Sequence, residues 1–186
     1  MQDYVAFLRG INLGRRRLTM DVLRAQFEQL KFKRVTTFIA SGNVLFASSS
    51  AEEGALRQRI EQQLGKTLGY PVETFLRTRA EVAAMAALRP FAGTEFEVPG
   101  HVVYAVMLQE AIEPSLRRKL RECETAVDYF RVAERDLYWL CQIRSSDSTV
   151  WTSPPMKALK LPSTTVRNMN TIDKIAALFV SRLPGA

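Results

Sequence analysis

Hydrophobic positions along the chain change their spacing in a regular order. Tyr4-Val5-Ala6-Phe7-Leu8 is a short continuous apolar run bounded by Gly10, the pattern of a buried strand. From Met20 the spacing widens to threes and fours through Leu23, Phe27 and Leu30, which predicts a helix capped by Thr19 and ending near Lys31. Val35 to Ala40 and Val44-Leu45-Phe46 flank Ser41-Gly42-Asn43, so two strands joined as a hairpin are expected there. After the polar break Ser48-Ser49-Ser50, Leu56, Ile60, Leu64 and Leu68 repeat every four residues as a second helix stopped by Gly69-Tyr70-Pro71. Val72 to Arg77 reads as a further strand, and Val82, Met85 and Leu88 as a short helix before Pro90.

The order strand, helix, strand, strand, helix, strand is that of the split βαβ unit, in which both helices cover one sheet face. Val102 to Leu108 starts the same order again. Pro114 opens a helix, Val127 to Val132 and Leu137 to Ile143 are strands about a Glu134-Arg135-Asp136 turn, and Ile172, Ile175, Ala176 and Phe179 mark a closing helix. The expected fold class is therefore α+β, two ferredoxin-like (split βαβ) lobes packed together. The expected bounds are an N-terminal lobe 1–90, a Pro, Gly and Glu-rich linker 91–100, and a C-terminal lobe 101–186. No residue-level repeat between the halves is visible, so duplication rests on element order alone. Ser145 to Asn170 reads as the longest irregular stretch, and a loop of that length in a globular domain commonly carries function.

Composition is that of a globular protein: 186 residues, 47% hydrophobic and 24% charged. The net charge of +7 is uneven, since residues 1–43 hold eight Lys/Arg against three Asp/Glu, including the run Arg15-Arg16-Arg17. A basic patch attracts phosphate-bearing partners, small molecules or a nucleic-acid backbone. With no long apolar span and no signal-peptide pattern, the expected location is the cytoplasm, with no membrane partner. Cys123 and Cys141 lack metal-ligand spacing and are expected to be buried, reduced thiols. The single histidine, His101, has no cysteine beside it and no G-x-S-x-G elbow exists, which argues against a serine or cysteine triad. No metal and no cofactor is expected.

What chemistry remains is donor-rich. Gly10 to Leu18 lies between a strand and a helix without a nucleotide-binding fingerprint, and Thr164 to Thr171 runs into the closing helix, with Asn170 or Thr171 as the expected N-cap. The candidate ligand-binding residues are Arg9, Asn12, Ser41, Asn43, Arg167, Asn168 and Asn170, gathered around an anionic ligand; amides and guanidinium groups suit recognition better than proton transfer. Two other readings stay open. One is an enzyme of phosphoryl or acyl transfer with Ser41 or Thr165 as nucleophile, which needs a base such as Asp21, Glu28 or Asp173 brought close by folding. The other is a scaffold whose glycines, asparagines and caps only fix turns.

Three segments together, Arg9-Gly10-Ile11-Asn12-Leu13-Gly14, Ser41-Gly42-Asn43-Val44-Leu45-Phe46 and Thr165-Val166-Arg167-Asn168-Met169-Asn170-Thr171, resemble the bacterial domain of unknown function family 1697 over nearly the whole chain. The resemblance implies two ferredoxin-like lobes and no established activity. Family members usually carry a second glycine where this chain has Arg15 and a tryptophan where it has Met169. If the family's site stacks a ring on that tryptophan, this chain has lost part of it.

Overall fold

The computed structural model describes residues 1–11 and 18–181. The described residues form two units, one of them within Met1–Ala84 together with 179–181, the other Met85–Leu178. The boundary segment 91–100 belongs with the second.

In the first unit β1 (Gln2–Leu8), β2 (Lys33–Phe38), β3 (Asn43–Ser48) and β4 (Thr74–Thr78) form an antiparallel sheet in the order β2-β3-β1-β4. Helix α1 (Met20–Gln29) begins where Thr19 Oγ1 accepts the Val22 amide, as its sequence predicts. Helix α2 (Glu53–Leu68) ends at Gly69, whose left-handed φ of 73° lets its amide return to Gly65 O. Leu23, Phe27, Leu56, Ile60 and Leu64 from these helices pack on Tyr4, Ala6, Leu8, Val44, Phe46 and Leu76. Val5, Phe7, Leu45 and Phe75 on the opposite sheet face are also fully buried, which is why β1 and β3 read as unbroken apolar runs instead of alternating ones. A short helix α3 (Arg79–Ala87) follows β4.

The second unit repeats the plan. Strands β5 (Val102–Met107), β6 (Asp128–Ala133), β7 (Asp136–Cys141) and β8 (Thr165–Asn168) are ordered β6-β7-β5-β8, all antiparallel, with α4 (Pro114–Glu122) between β5 and β6. A 3₁₀ turn (Val150–Thr152) and α5 (Pro154–Ala158) connect β7 to β8, and α6 (Met169–Ser181) closes the chain. The mixed helix and strand content and the two matching sheets make two ferredoxin-like lobes. Cys123 and Cys141 are buried and unpaired with each other.

Strand register supplies the repeat that the sequence conceals. Tyr4 lies opposite Phe46 and Thr78, and Tyr104 lies opposite Trp139 and Asn168; each tyrosine stacks on its aromatic partner, at 5.6 and 4.9 Å. One position on, Val5 faces Arg77 and Ala105 faces Arg167. Both arginines are buried, and each donates from Nη1 to the carbonyl before it, Leu76 O at 2.7 Å and Val166 O at 2.8 Å. The next residue then holds the start of a helix, Thr78 Oγ1 accepting the Glu81 amide and Asn168 Oδ1 the Asn170 amide. The lobes share backbone positions and side-chain roles but not residue types.

The β8 strand itself was not predicted from sequence. Thr165 and Arg167 point inward and Val166 is 41% exposed, so its polar and apolar positions are inverted relative to an ordinary strand. Because β8 takes residues through Asn168, the helix starts earlier than expected, and Asn168, not Asn170 or Thr171, supplies the capping oxygen.

The hairpin turn makes one sharp prediction. Gly42 has φ 78°, and a Cβ there would lie 3.1 Å from Ile11 Cβ and 3.2 Å from Leu8 Cβ. Gly42→Ala combines left-handed backbone strain with overpacking and is expected to destabilise the chain by about 2–4 kcal/mol in urea denaturation. A loss below about 1 kcal/mol would show that the Leu8 to Ile11 turn can move away.

Candidate functional site

Six of the seven residues singled out from sequence lie among the described residues and divide between the two units. In the first, Leu8 N donates to Gly42 O at 2.8 Å and Gly42 packs on Ile11, so the turn after β1 and the hairpin turn are one structural feature. Asn43 is fully buried, and its Nδ2 donates to Phe38 O at 3.0 Å and to Ser41 Oγ at 2.9 Å, closing the loop between the paired residues Phe38 and Asn43. Arg9 is half exposed, and its Nη1 donates to Glu73 Oε2 while its amide reaches Glu73 O at 2.9 Å. Asn12 lies outside the described residues, as does the basic run Arg15 to Arg17.

In the second unit the three candidates part company. Arg167 turns inward, donating from Nη1 to Thr165 Oγ1 at 2.9 Å, and burial lowers its pKa to about 10, so it remains a cation at neutral pH. Asn168 and Asn170, by contrast, line a cleft of about 240 Å³ at the start of α6. The opposite wall is the segment between α3 and β5, which contributes Arg89, Phe91, Glu97 and His101.

Composition alone made that segment a spacer, but its aromatics anchor it. Phe91 is buried, Phe96 stacks on Tyr129 with centroids 4.0 Å apart, and the Arg131 guanidinium sits over both phenylalanine rings at 5.2 and 5.5 Å. Gln142 Nε2 donates to Phe96 O at 2.9 Å, and Glu97 Oε2 accepts the Gly93 amide at 2.8 Å. The wall is therefore fixed by side chains on β6 and the end of β7.

The cleft holds both signs of charge. Arg89 Nη1 approaches Asp173 Oδ1 at 3.5 Å, an ion pair without hydrogen-bond geometry, and that oxygen is buried with no hydrogen-bond partner among the described residues. The His101 ring bonds the Val98 carbonyl through Nδ1. Since a carbonyl only accepts, Nδ1 carries the proton, and in the neutral ring Nε2 is left as an acceptor. Asn168 Oδ1 is occupied by the Asn170 amide, so the amide nitrogen of Asn168 is its remaining donor. Donors from Arg89, Asn168 and Asn170 thus share one concavity with acceptors on His101 and Asp173. Sequence reasoning missed Arg89 and His101; the only trace was the presence of charged and aromatic residues in a segment otherwise rich in turn formers.

The sequence profile of a family described as "Protein of unknown function (DUF1697)" matches residues 1–138. The chain belongs to this family. The DUF1697 match takes in the Arg9-Gly10 and Ser41 to Asn43 turns, while Asn168 and Asn170 lie beyond it. A solved structure, that of conserved bacterial protein SP0830 from Streptococcus pneumoniae, is similar at 20% identity, covering 97% of this chain and 99% of that one with a TM-score of 0.73. At that identity the likeness shows the fold alone. Among curated proteins none matches. Among the described residues no helix is long and apolar enough to cross a membrane, and no cluster of three His, Cys, Asp or Glu could hold a metal.

Proposed function

We propose that the protein binds a small phosphate-bearing molecule, and that the cleft at the start of α6 receives it. The observation carrying this reading is the meeting of Arg89, Asn168 and Asn170 with the first turn of a 13-residue helix in a concavity of about 240 Å³. Arg89 offers the charge-assisted contact, the two asparagines orient the anion, and His101 Nε2 and Asp173 accept from hydroxyl or amino groups beside the phosphate. A nucleic-acid backbone fits less well, because Glu97 and Asp173 stand among the lining residues and would repel a continuous polyanion. Of the other sequence candidates, Arg167 serves this reading by fixing β8, the strand that leads into Asn168, while Asn43 fixes a turn of the first unit. The buried thiols favour the cytoplasm as the place of action.

A screen of phosphate esters by thermal shift tests the proposal. Ligands that bind the native state raise its melting temperature, and Arg89→Ala is expected to weaken them about ten- to a hundredfold, the loss of one charge-assisted hydrogen bond. The side chain is 57% exposed, so the substitution itself leaves stability within about 1 kcal/mol. If no phosphate ester gives a shift that depends on Arg89, the reading fails.

One observation favours the enzyme alternative: the fixed His101 tautomer leaves a proton acceptor in the cleft. The hydroxyls considered as nucleophiles gain less support. Thr165 Oγ1 is buried and accepts from the Arg167 guanidinium, and Ser41 Oγ accepts from Asn43, so neither contact draws a proton off the oxygen.

A further inference from the structure

The first unit carries another concavity of about 240 Å³, where the end of α1 meets the start of β2, the end of β3 and the flank of α2. Lys31, Lys33 and Arg59 line it beside Ser48 and Ser49, and none of its described lining residues is acidic. This separates it from the cleft beside α6, where charges of both signs are mixed. Asp3, the one carboxylate on the neighbouring strand β1, is already engaged by Arg34 at 2.8 Å, and Lys31, Lys33 and Arg59 have no ion-pair partner among the described residues.

Each cation has a bland explanation on its own element. Lys31 sits just past α1, where a cation answers the helix dipole; Lys33 starts an edge strand, where lysine discourages pairing with another chain. Neither explanation covers their convergence with Arg59, which comes from α2. Its Nη2 donates to Leu30 O at 2.9 Å and its guanidinium lies over the Phe32 ring at 5.3 Å, so the head group is held in place with other N–H donors to spare. Lys31 also takes a left-handed backbone, φ 64°, at a position where glycine is the usual choice. Ser48 Oγ accepts the Ser50 amide at 3.1 Å, which leaves its O–H to donate. Three like charges around one hollow repel each other unless an anion fills it.

We propose that this notch is a phosphate-binding site, with Lys31, Lys33 and Arg59 neutralising the anion and the Ser48 and Ser49 hydroxyls donating to its oxygens. It is independent of the cleft beside α6. Titration of the full chain with inorganic pyrophosphate, followed by ¹H–¹⁵N correlation spectra at an ionic strength of about 0.15 M, tests it under conditions that screen diffuse surface attraction. Saturable shifts are expected at residues 30–33 and 47–49 and at the Arg59 Nε resonance. Lys33→Gln and Arg59→Gln together should weaken the response at least about tenfold, with Lys33→Gln alone as the milder variant if the pair unfolds. An Arg89→Ala control should leave these shifts unchanged, so the failure of one site is distinguishable from failure of the other. Absence of saturation at the notch, an undiminished response in the variants, or equal shifts with chloride would each overturn the proposal.

Discussion

Asp128→Ala is expected to destabilise the second unit by about 3–5 kcal/mol, with the midpoint of urea unfolding falling accordingly. Asp128 is buried; its Oδ1 accepts from Trp139 Nε1 at 2.9 Å and Ser148 Oγ at 2.8 Å, and its Oδ2 from Thr125 Oγ1 at 2.9 Å. One carboxylate thereby joins the start of β6, the middle of β7 and the loop after it. Alanine strands the indole N–H, which is too deep for water, while the two hydroxyls at the margin recover part of their loss. Each stranded donor costs about 1–3 kcal/mol. An asparagine side chain at this position would keep an acceptor for Trp139 and Ser148, so Asp128→Asn should cost much less. Both tryptophans, Trp139 and Trp151, lie in this unit, and their fluorescence reports the transition directly. An Asp128→Ala loss under about 1 kcal/mol would mean that the network is not fully formed.

Phe46→Ala should have a comparable effect on the first unit, about 3–5 kcal/mol. Phe46 is fully buried on β3 and touches three other rings, with centroids 5.6 Å from Tyr4, 5.5 Å from Phe27 and 4.4 Å from Phe32. Its removal opens a cavity bounded by a sheet and two helices, elements that cannot collapse into it without breaking their own hydrogen bonds. Phe46→Leu should recover at least half of the loss. Far-UV circular dichroism through a denaturant series measures both. Should alanine and leucine behave alike, packing around the ring is loose and the aromatic cluster is not the centre of this core.

The two lobes use the same positions for the same ends with different residues. Phe46 and Trp139 occupy corresponding places opposite Tyr4 and Tyr104, and Arg77 and Arg167 correspond one position further along. Arg167, which sequence reasoning treated as a ligand contact, has a counterpart in a lobe for which no anion site was expected beside β4. Its inward bond to Thr165 and its place in the repeat favour a role in holding β8. The ligand proposal accordingly rests on Arg89, Asn168 and Asn170.

Much of the architecture follows from local sequence. The apolar runs of β1 and β3, the four-residue repeat of α2, the Thr19 cap and the Gly69 stop each act through neighbours in the chain, so patterns over a few residues were enough to place them. The convergence of residues far apart in sequence obeys no such rule. Arg89 and His101 meet Asn168 and Asn170 only because Phe91 and Phe96 dock their segment on β6, and Lys31 meets Arg59 only because α1 and α2 share a sheet face. Strand β8 was hidden for a related reason, since its inward positions are polar and find their partners inside the fold. Spacing along the chain determined the lobes and their order; which charges face one another was decided by tertiary packing, because burial and long-range pairing set the environment of a side chain independently of its sequence neighbours.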